Sequence, residues 1–241
     1  MNSYFDKIDK NNLPKHIAVI MDGNGRWAKN KLKPRTFGHV EGEKNLRKIS
    51  RYCNKIGVKY LTAYAFSTEN WKRPKTEVDT LMKLFNNFID EMLSDYDENL
   101  VIRFIGEKTR LGKVLQKKME HVEEMTKNNT GTVVTLAINY GGRDEITRAV
   151  KTIGKEIENN KLKPEEITED LISFYLDTSY MPDPDLVIRP SGELRISNYL
   201  LWQIAYSEFW YSDILWPDFS EEDLNKAIYD YQQRNRRFGG I

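Results

Sequence analysis

The chain has 241 residues, 39% of them hydrophobic, and a formal net charge of +1. That length and apolar share suffice for one large α/β domain with a real core, or for two small ones. The near-neutral balance gives no reason to expect a nucleic-acid binder or an acidic tail, and a single cysteine, Cys53, excludes a disulfide framework and fits a reducing cytosol.

Residues 1–15 are polar and mixed in charge, and read as a flexible tail, neither a signal peptide nor a membrane anchor. Nowhere does an apolar run approach the ~20 residues of a membrane span. From His16 onward strand-like runs alternate with helical patterns. "HIAVIM" is the first strand and gives way to Asp22-Gly23-Asn24-Gly25-Arg26. "GEKNLRKISRYCNKIG" sets Leu46, Ile49, Cys53 and Ile56 on one helical face and closes on Gly57. "YLTAYAF" is the second strand, followed by Ser67-Thr68-Glu69-Asn70-Trp71, and "TEVDTLMKLFNNFIDEML" aligns Leu81, Phe85, Phe88, Ile89 and Met92. "LVIRFIG" and "TVVTLAIN" are strands separated by the amphipathic "RLGKVLQKKMEHVEEM"; Tyr140-Gly-Gly-Arg143 and the helix "RDEITRAVKTIGKEIE" come next. Pro164 opens a short helix over "PEEITEDLISFYL", "DLVIR" leads into Pro190-Ser-Gly-Glu, "SDILW" is a sixth strand, and Ser220 with Asp223 frames a capping box for the last helix. The alternation predicts an α/β fold, a mostly parallel sheet with helices on both faces, over residues 16–241 as a single domain.

Ligands in open α/β sheets bind outside the carboxyl ends of the strands. Four polar loops, after "IAVIM", "LTAYAF", "TLAIN" and "DLVIR", are expected to converge there. The first poses a problem, because a glycine loop after a strand cradles anions and Asp22 would repel one. Gly23-x-Gly25-x-x-Ala28 also matches a dinucleotide fingerprint. The next strand, however, starts near Tyr60, too far on for a compact βαβ unit of ~30 residues. A Walker loop fails for want of Gly-Lys-Ser/Thr. A Mg²⁺ ion between Asp22 and a diphosphate restores sense to the acid: Gly23 and Gly25 admit backbone donors, and Arg26 neutralises the remaining charge. The plainer alternative is a turn whose aspartate caps the following helix.

The supply of cations elsewhere favours the diphosphate reading. Arg35 and His39 follow in "PRTFGH", and Arg73 follows "STENWK". Arg189 ends an apolar strand, where a charge is costly unless it meets an anion. Arg195-Ile196-Ser197 would set a guanidinium fork and a hydroxyl on one side of an extended segment. Two diphosphate sites on one rim suggest a reaction joining two diphosphate esters. The stripe of Leu81, Phe85, Phe88, Ile89 and Met92 reads equally as core packing or as the wall of a tunnel for a hydrocarbon chain. Glu208, in aromatic company, requires a metal or a positive partner.

"HIAVIMDGNGRWA", "FGH", "YAFSTENWKRP", "NYGGR", "DLVIRPSGELRISNYLLWQIAYSE" and "WPDF" together resemble the cis-prenyltransferases, in particular the bacterial undecaprenyl diphosphate synthases, over about His16 to Gly240. The resemblance implies a parallel-sheet α/β domain with a hydrophobic tunnel. It also implies a magnesium-dependent, cytoplasmic enzyme condensing isopentenyl diphosphate onto farnesyl diphosphate, with a product near undecaprenyl diphosphate that serves cell-wall polysaccharide synthesis. The DDxxD motif of the all-helical trans class is absent.

Carried over residue by residue, the resemblance has Asp22 bind Mg²⁺ and assist departure of the allylic diphosphate, held by Gly23, Asn24, Gly25 and Arg26 with Arg35 and His39 nearby. Trp27 lies against the prenyl chain. Ser67, Thr68, Glu69, Trp71 and Arg73 belong to the loop over the reacting ends, and Arg189, Arg195, Ile196 and Ser197 match the isopentenyl diphosphate site. Glu208 matches a second magnesium-associated acid. Asn70 matches the assigned proton acceptor, but a carboxamide is a poor base near neutral pH, so its expected role is to align the acceptor. Arg237-Phe238-Gly239 resembles a terminal element that completes the site across a homodimer interface. Pro190 stands where many relatives have threonine, which removes one donor and one hydroxyl. Membrane contact is expected only peripherally, for product release. A non-catalytic partner subunit is the competing class, and it would lack parts of the set that is present here in Asp22, Asn70, Arg189 and Arg195.

Overall fold

The apolar runs become strands β1 (His16–Ile20), β2 (Tyr60–Ser67), β3 (Val101–Ile105), β4 (Val133–Tyr140), β5 (Leu186–Arg189) and β6 (Glu208–Tyr211). They form one sheet in the order β3-β4-β2-β1-β5-β6, with every pairing parallel. The structure, a computed structural model, describes residues 3–94 and 98–235. Helices α1 (Asn24–Asn30), α2 (Arg35–Ile56), α3 (Lys75–Ser94), α4 (Lys113–Thr126), α5 (Gly142–Glu158), α6 (Glu169–Tyr175) and α7 (Glu221–Gln232) supply crossovers and cover. Because all strands run the same way, their carboxyl ends share one rim.

Side-chain alternation divides the core in two. Ile17 and Val19 of β1 enter the larger cluster with Leu46 and Ile49 of α2, Ile89 of α3 and Met119 of α4. Ala18 and Ile20 face the smaller cluster of Tyr64, Tyr140, Tyr199, Leu200 and Ile204. Part of this second face is covered by the turn-rich stretch 199–206 rather than by a regular helix. Tyr64 stacks on Tyr199 at 4.4 Å there.

Three expectations are corrected. The sixth strand is "EFWY", not "SDILW"; in the latter, Trp216 is buried and its indole donates to the Gly42 carbonyl at 2.7 Å, so those apolar residues fill the core from a loop. The helix expected from Pro164 splits into a 3₁₀ turn at Pro164–Glu166 and α6, because Thr168 caps the second piece by accepting from Leu171 N–H. Residues 3–15 are not a loose tail. Tyr4–Asp6 forms a 3₁₀ turn, Tyr4 N–H donates to Glu222 at 2.7 Å and Ile8 is buried.

His16 opens β1 fully buried, with Nδ1 2.7 Å from the Pro182 carbonyl and Nε2 2.8 Å from the Thr62 hydroxyl. Burial pushes its pKa down to about 4. A histidine whose folded pKa lies below its unfolded value of about 6.5 stabilises the fold fully at higher pH and loses that contribution as pH falls toward the folded pKa. Acidification from pH 6.5 to 4 should therefore remove roughly 3 kcal/mol of unfolding free energy. Urea titrations along that range should show the loss, and His16→Gln should flatten it.

Candidate active site

The chain leaves β1 through a tight bend in which Asp22 N–H donates to the Ile20 carbonyl at 2.8 Å. Gly23 follows at φ +98°, a left-handed conformation, and a Cβ there would stand 2.9 Å from Leu215 Cδ2. Both constraints select glycine. On α2, Gly38 and Gly42 let Asn24 approach, since added Cβ atoms would lie 2.0 Å from its carbonyl oxygen and 2.4 Å from its Oδ1. This packing fixes α1 against α2 and aims the Asp22 carboxylate at the rim.

Arg189, the last residue of β5 and only 3% exposed, meets that carboxylate. Its Nη2 donates to Asp22 Oδ2 at 2.7 Å, and its Nη1 donates to the Ser197 hydroxyl at 2.9 Å and to the Arg195 carbonyl. Gly23 N–H donates to the other carboxylate oxygen at 2.6 Å. Burial opposes ionisation of Asp22, but the bonds from Arg189 and Gly23 outweigh it and hold the carboxyl below the usual carboxylate range.

Asp22 stands on the wall between two polar clefts. The first, of about 600 Å³, is lined by Gly23, Asn24, Gly25, Arg26, Arg35 and Arg73, with Lys29 and Lys33 beyond. The second, of about 240 Å³, is lined by Ser67, Asn70, Arg189, Arg195 and Ser197. Met21, Asp22, His39 and Arg73 belong to both. Below the rim, an apolar cavity of about 70 Å³ runs between α2 and α3 past Leu46, Leu81, Phe85 and Phe88, and a further one of about 60 Å³ continues past Met92 and Ile102. The stripe on α3 thus packs in the core and also lines these two cavities.

The cations are not left to repel one another. Glu77, on the first turn of α3, takes Arg73 at 3.0 Å and Arg35 at 3.2 Å on one carboxylate oxygen. Burial, followed by the charges of Arg73 and Arg35, lowers His39 to about 4, so the ring is neutral near pH 7. Its Nε2 lies 3.9 Å from Glu77, with no hydrogen-bond partner among the described residues. Asn70 closes a capping box in which its Oδ1 accepts from Ser67 N–H at 3.1 Å. Glu69 accepts from Asn198 at 2.9 Å, and Trp71 donates to Asn139 at 2.6 Å. These bonds fasten the 67–73 segment to the neighbouring strand ends.

This arrangement can be set beside known proteins. A family model described as putative undecaprenyl diphosphate synthase matches residues 20–239. The chain belongs to the cis-prenyltransferase family. It is 56% identical over 236 residues to an isoprenyl transferase of Clostridium tetani, covering 98% of this chain and 92% of that one. It is 54% identical over 237 residues to an isoprenyl transferase of Bacillus cereus, with the same coverage of 98% and 92%. Among solved structures, lavandulyl diphosphate synthase from Lavandula x intermedia in complex with dimethylallyl diphosphate matches with a TM-score of 0.89 at 36% identity, over 94% of this chain and 98% of that one. A probable undecaprenyl diphosphate synthase from Campylobacter jejuni matches with a TM-score of 0.78 at 36% identity, over 95% and 99%. The fold and the prenyltransferase class follow from this.

Not every expected residue of this prenyltransferase gathers at the rim. Trp27 is buried, stacks on Phe37, and donates its indole N–H to Asp218 at 2.7 Å; it does not line either cleft. Glu208 starts β6 beside Leu186, at the end of the sheet opposite Arg189, and pairs with Arg234 at 2.6 Å. It has found its positive partner away from Asp22. The Tyr140–Arg143 turn buttresses the site instead of lining it, with Gly142 N–H and Arg143 N–H donating to Asn198. Ile196 packs into the smaller core cluster, and Ser197 reaches the cleft from a left-handed turn (φ +51°), not from an extended segment. Arg237, Phe238 and Gly239 lie outside the described residues.

Sequence reasoning missed Glu77, Lys29 and Lys33. No spacing rule marks Glu77, although an acid four residues after Arg73 at a helix start was a usable signal. Replacing it by glutamine leaves Arg35 and Arg73 without their anchor, so kcat/KM should fall by about tenfold or more, read as a rise in KM for the diphosphate substrates in steady-state kinetics.

Proposed function

We propose that this chain is a magnesium-dependent cis-prenyltransferase that extends farnesyl diphosphate with isopentenyl diphosphate units to a long polyprenyl diphosphate, of undecaprenyl size, the precursor of the lipid carrier for cell-wall polysaccharide synthesis. The observation that carries the reading is Asp22 on the wall shared by two cationic clefts, with an apolar passage leading away from them. In this reading the first cleft takes the allylic diphosphate and the second the isopentenyl diphosphate.

The donor set fits Mg²⁺ only with help from substrate. Among the described residues no three His, Cys, Asp or Glu groups cluster to hold a metal. Asp22 offers one ionised carboxylate, half-buried, and Mg²⁺ commonly binds through one or two carboxylates with substrate phosphates and water completing the shell. Held by Asp22, the metal would supply Lewis-acid stabilisation of the departing diphosphate. Arg26, Arg35 and Arg73 are aimed at the same growing negative charge before the reaction begins. As the allylic C–O bond breaks, the double bond of isopentenyl diphosphate forms the new C–C bond, and a proton leaves the resulting cation. The Asn70 carbonyl oxygen is already committed to Ser67 N–H, which leaves an amide donor to orient the released diphosphate or a water as acceptor. Apolar walls exclude water from the cation. The two cavities are small, so a growing chain must part α2 from α3.

Incubation with farnesyl diphosphate, labelled isopentenyl diphosphate and Mg²⁺, followed by product sizing, tests the reading; products near eleven isoprene units are expected, and turnover in excess chelator would refute the metal role. Asp22→Ala should lose turnover by at least about a hundredfold while prenyl-chain binding, measured by calorimetry, stays nearly intact. The homodimer belongs to the same proposal, and removal of the last five residues should cripple activity without changing the fold seen by circular dichroism.

A further inference from the structure

Residues 29–35 form an elbow between α1 and α2, and all seven are exposed. Leu32 stands at its tip, 94% exposed, at φ +55°. The elbow is a closed helix-ending turn: Lys33 N–H donates to the Ala28 carbonyl at 2.9 Å and Leu32 N–H to the Lys29 carbonyl at 3.0 Å. The left-handed position of such a turn favours glycine. A leucine there accepts an unfavourable backbone conformation and holds an apolar side chain in water. Packing within the chain repays neither.

Charge surrounds that leucine. Between residues 23 and 40 lie Arg26, Lys29, Lys31, Lys33 and Arg35 and no acid, in a chain whose net charge is +1, so the remainder is net negative. Arg26 and Arg35 face Glu193 and Glu77, whereas the three lysines form no ion pair among the described residues. The base of the elbow is stiff. Trp27 and Phe37 stack at 5.9 Å, with Lys31 over the first ring at 4.7 Å and Lys33 over the second at 5.9 Å.

We infer that this elbow docks on an anionic bilayer surface, with Leu32 inserted at the headgroup boundary, Phe37 behind it, and Lys29, Lys31 and Lys33 against lipid phosphates. An exposed apolar tip in a basic collar is the combination that an interfacial site requires. A free diphosphate would use the lysines but not the leucine. Lys29, Leu32 and Lys33 also edge the first cleft, so docking would bring that cleft to the membrane surface. Only this last consequence rests on the proposed lipid substrate.

Co-sedimentation of the full chain, without substrate, with vesicles of phosphatidylcholine alone or with added phosphatidylglycerol tests the inference. Binding is expected to the anionic vesicles and to weaken with salt. Lys31→Glu should weaken it on the order of tenfold, and Leu32→Asn, which suits the left-handed backbone, should weaken it several-fold. Lys161→Glu, on a distant surface, should not. The inference is overturned if the wild type stays in the supernatant, if both vesicle types bind equally, or if Leu32→Asn binds as the wild type does. It is also overturned if Lys161→Glu weakens binding as much as Lys31→Glu, or if low concentrations of inorganic diphosphate release the protein, which would assign the elbow to a free anion. Vesicle binding is read without turnover, so failure of the catalytic reading would leave this result standing.

Discussion

The contact between Arg189 and Asp22 joins the ends of β5 and β1, and the rest of the site is arranged around it. A guanidinium that is nearly fully buried would be untenable alone. Asp22, the Ser197 hydroxyl and the Arg195 carbonyl take up its two Nη groups, while its buried Nε has no partner among the described residues. The pair therefore does two things. It ties the turn after β5 to the turn after β1, and it keeps Asp22 ionised in a place where burial alone would favour the neutral acid. In the proposed reaction an anionic carboxylate there would attract a metal–diphosphate complex, whereas a protonated one would not.

The parallel sheet explains why polar and apolar chemistry can sit so close together. Its strands bury both faces, and their carboxyl ends open on a single rim. Asp22 and Arg189 stand at the rim, the first half-buried and the second almost wholly buried against it. Residues one or two positions lower on the larger face, with Leu46 and Phe88 from the helices, make dry walls. A lipid diphosphate has this same division within one molecule, a charged head and a greasy tail. The fold matches it by having α2 and α3 serve both: Arg35 and Glu77 lie at their rim ends, and Leu46 and Phe88 lie further along.

Much of this was legible in the sequence for a physical reason. Strands buried on both faces appear as continuous apolar runs, and a charge ending such a run, as in Asp22 or Arg189, stands out because it needs an explanation. β6 was not legible: "EFWY" is short, lies at the sheet edge and begins on an acid, while "SDILW" next to it is apolar for a different reason, since Leu215 packs against Gly23 and Trp216 fills the space beneath α2. The inward set of Trp27 goes with its contact to Asp218, and the distance of Glu208 from the rim follows from its pairing beside Leu186, with Arg234 as its partner there; all three lie far away in the chain. No local pattern encodes those partners. The family resemblance carried both residues to the site, and in this chain neither lines it.

Glu77 brings the electrostatics to a close. Arg35 and Arg73 converge on one cleft, and without an anion they would repel each other across a half-buried space; Arg73 is held below its ordinary pKa by burial and by Arg35, with Glu77 opposing both. One carboxylate oxygen shared by two guanidinium groups is the geometry that a phosphate oxygen would also accept. Glu77 thus holds both guanidinium groups in place at the mouth of the cleft. A rim rich in positive charge remains stable because Glu77, an internal anion, is shared between Arg35 and Arg73. The same surroundings keep His39 neutral: burial disfavours its charged form first, the two guanidinium groups add to that, and Glu77 opposes them only in part.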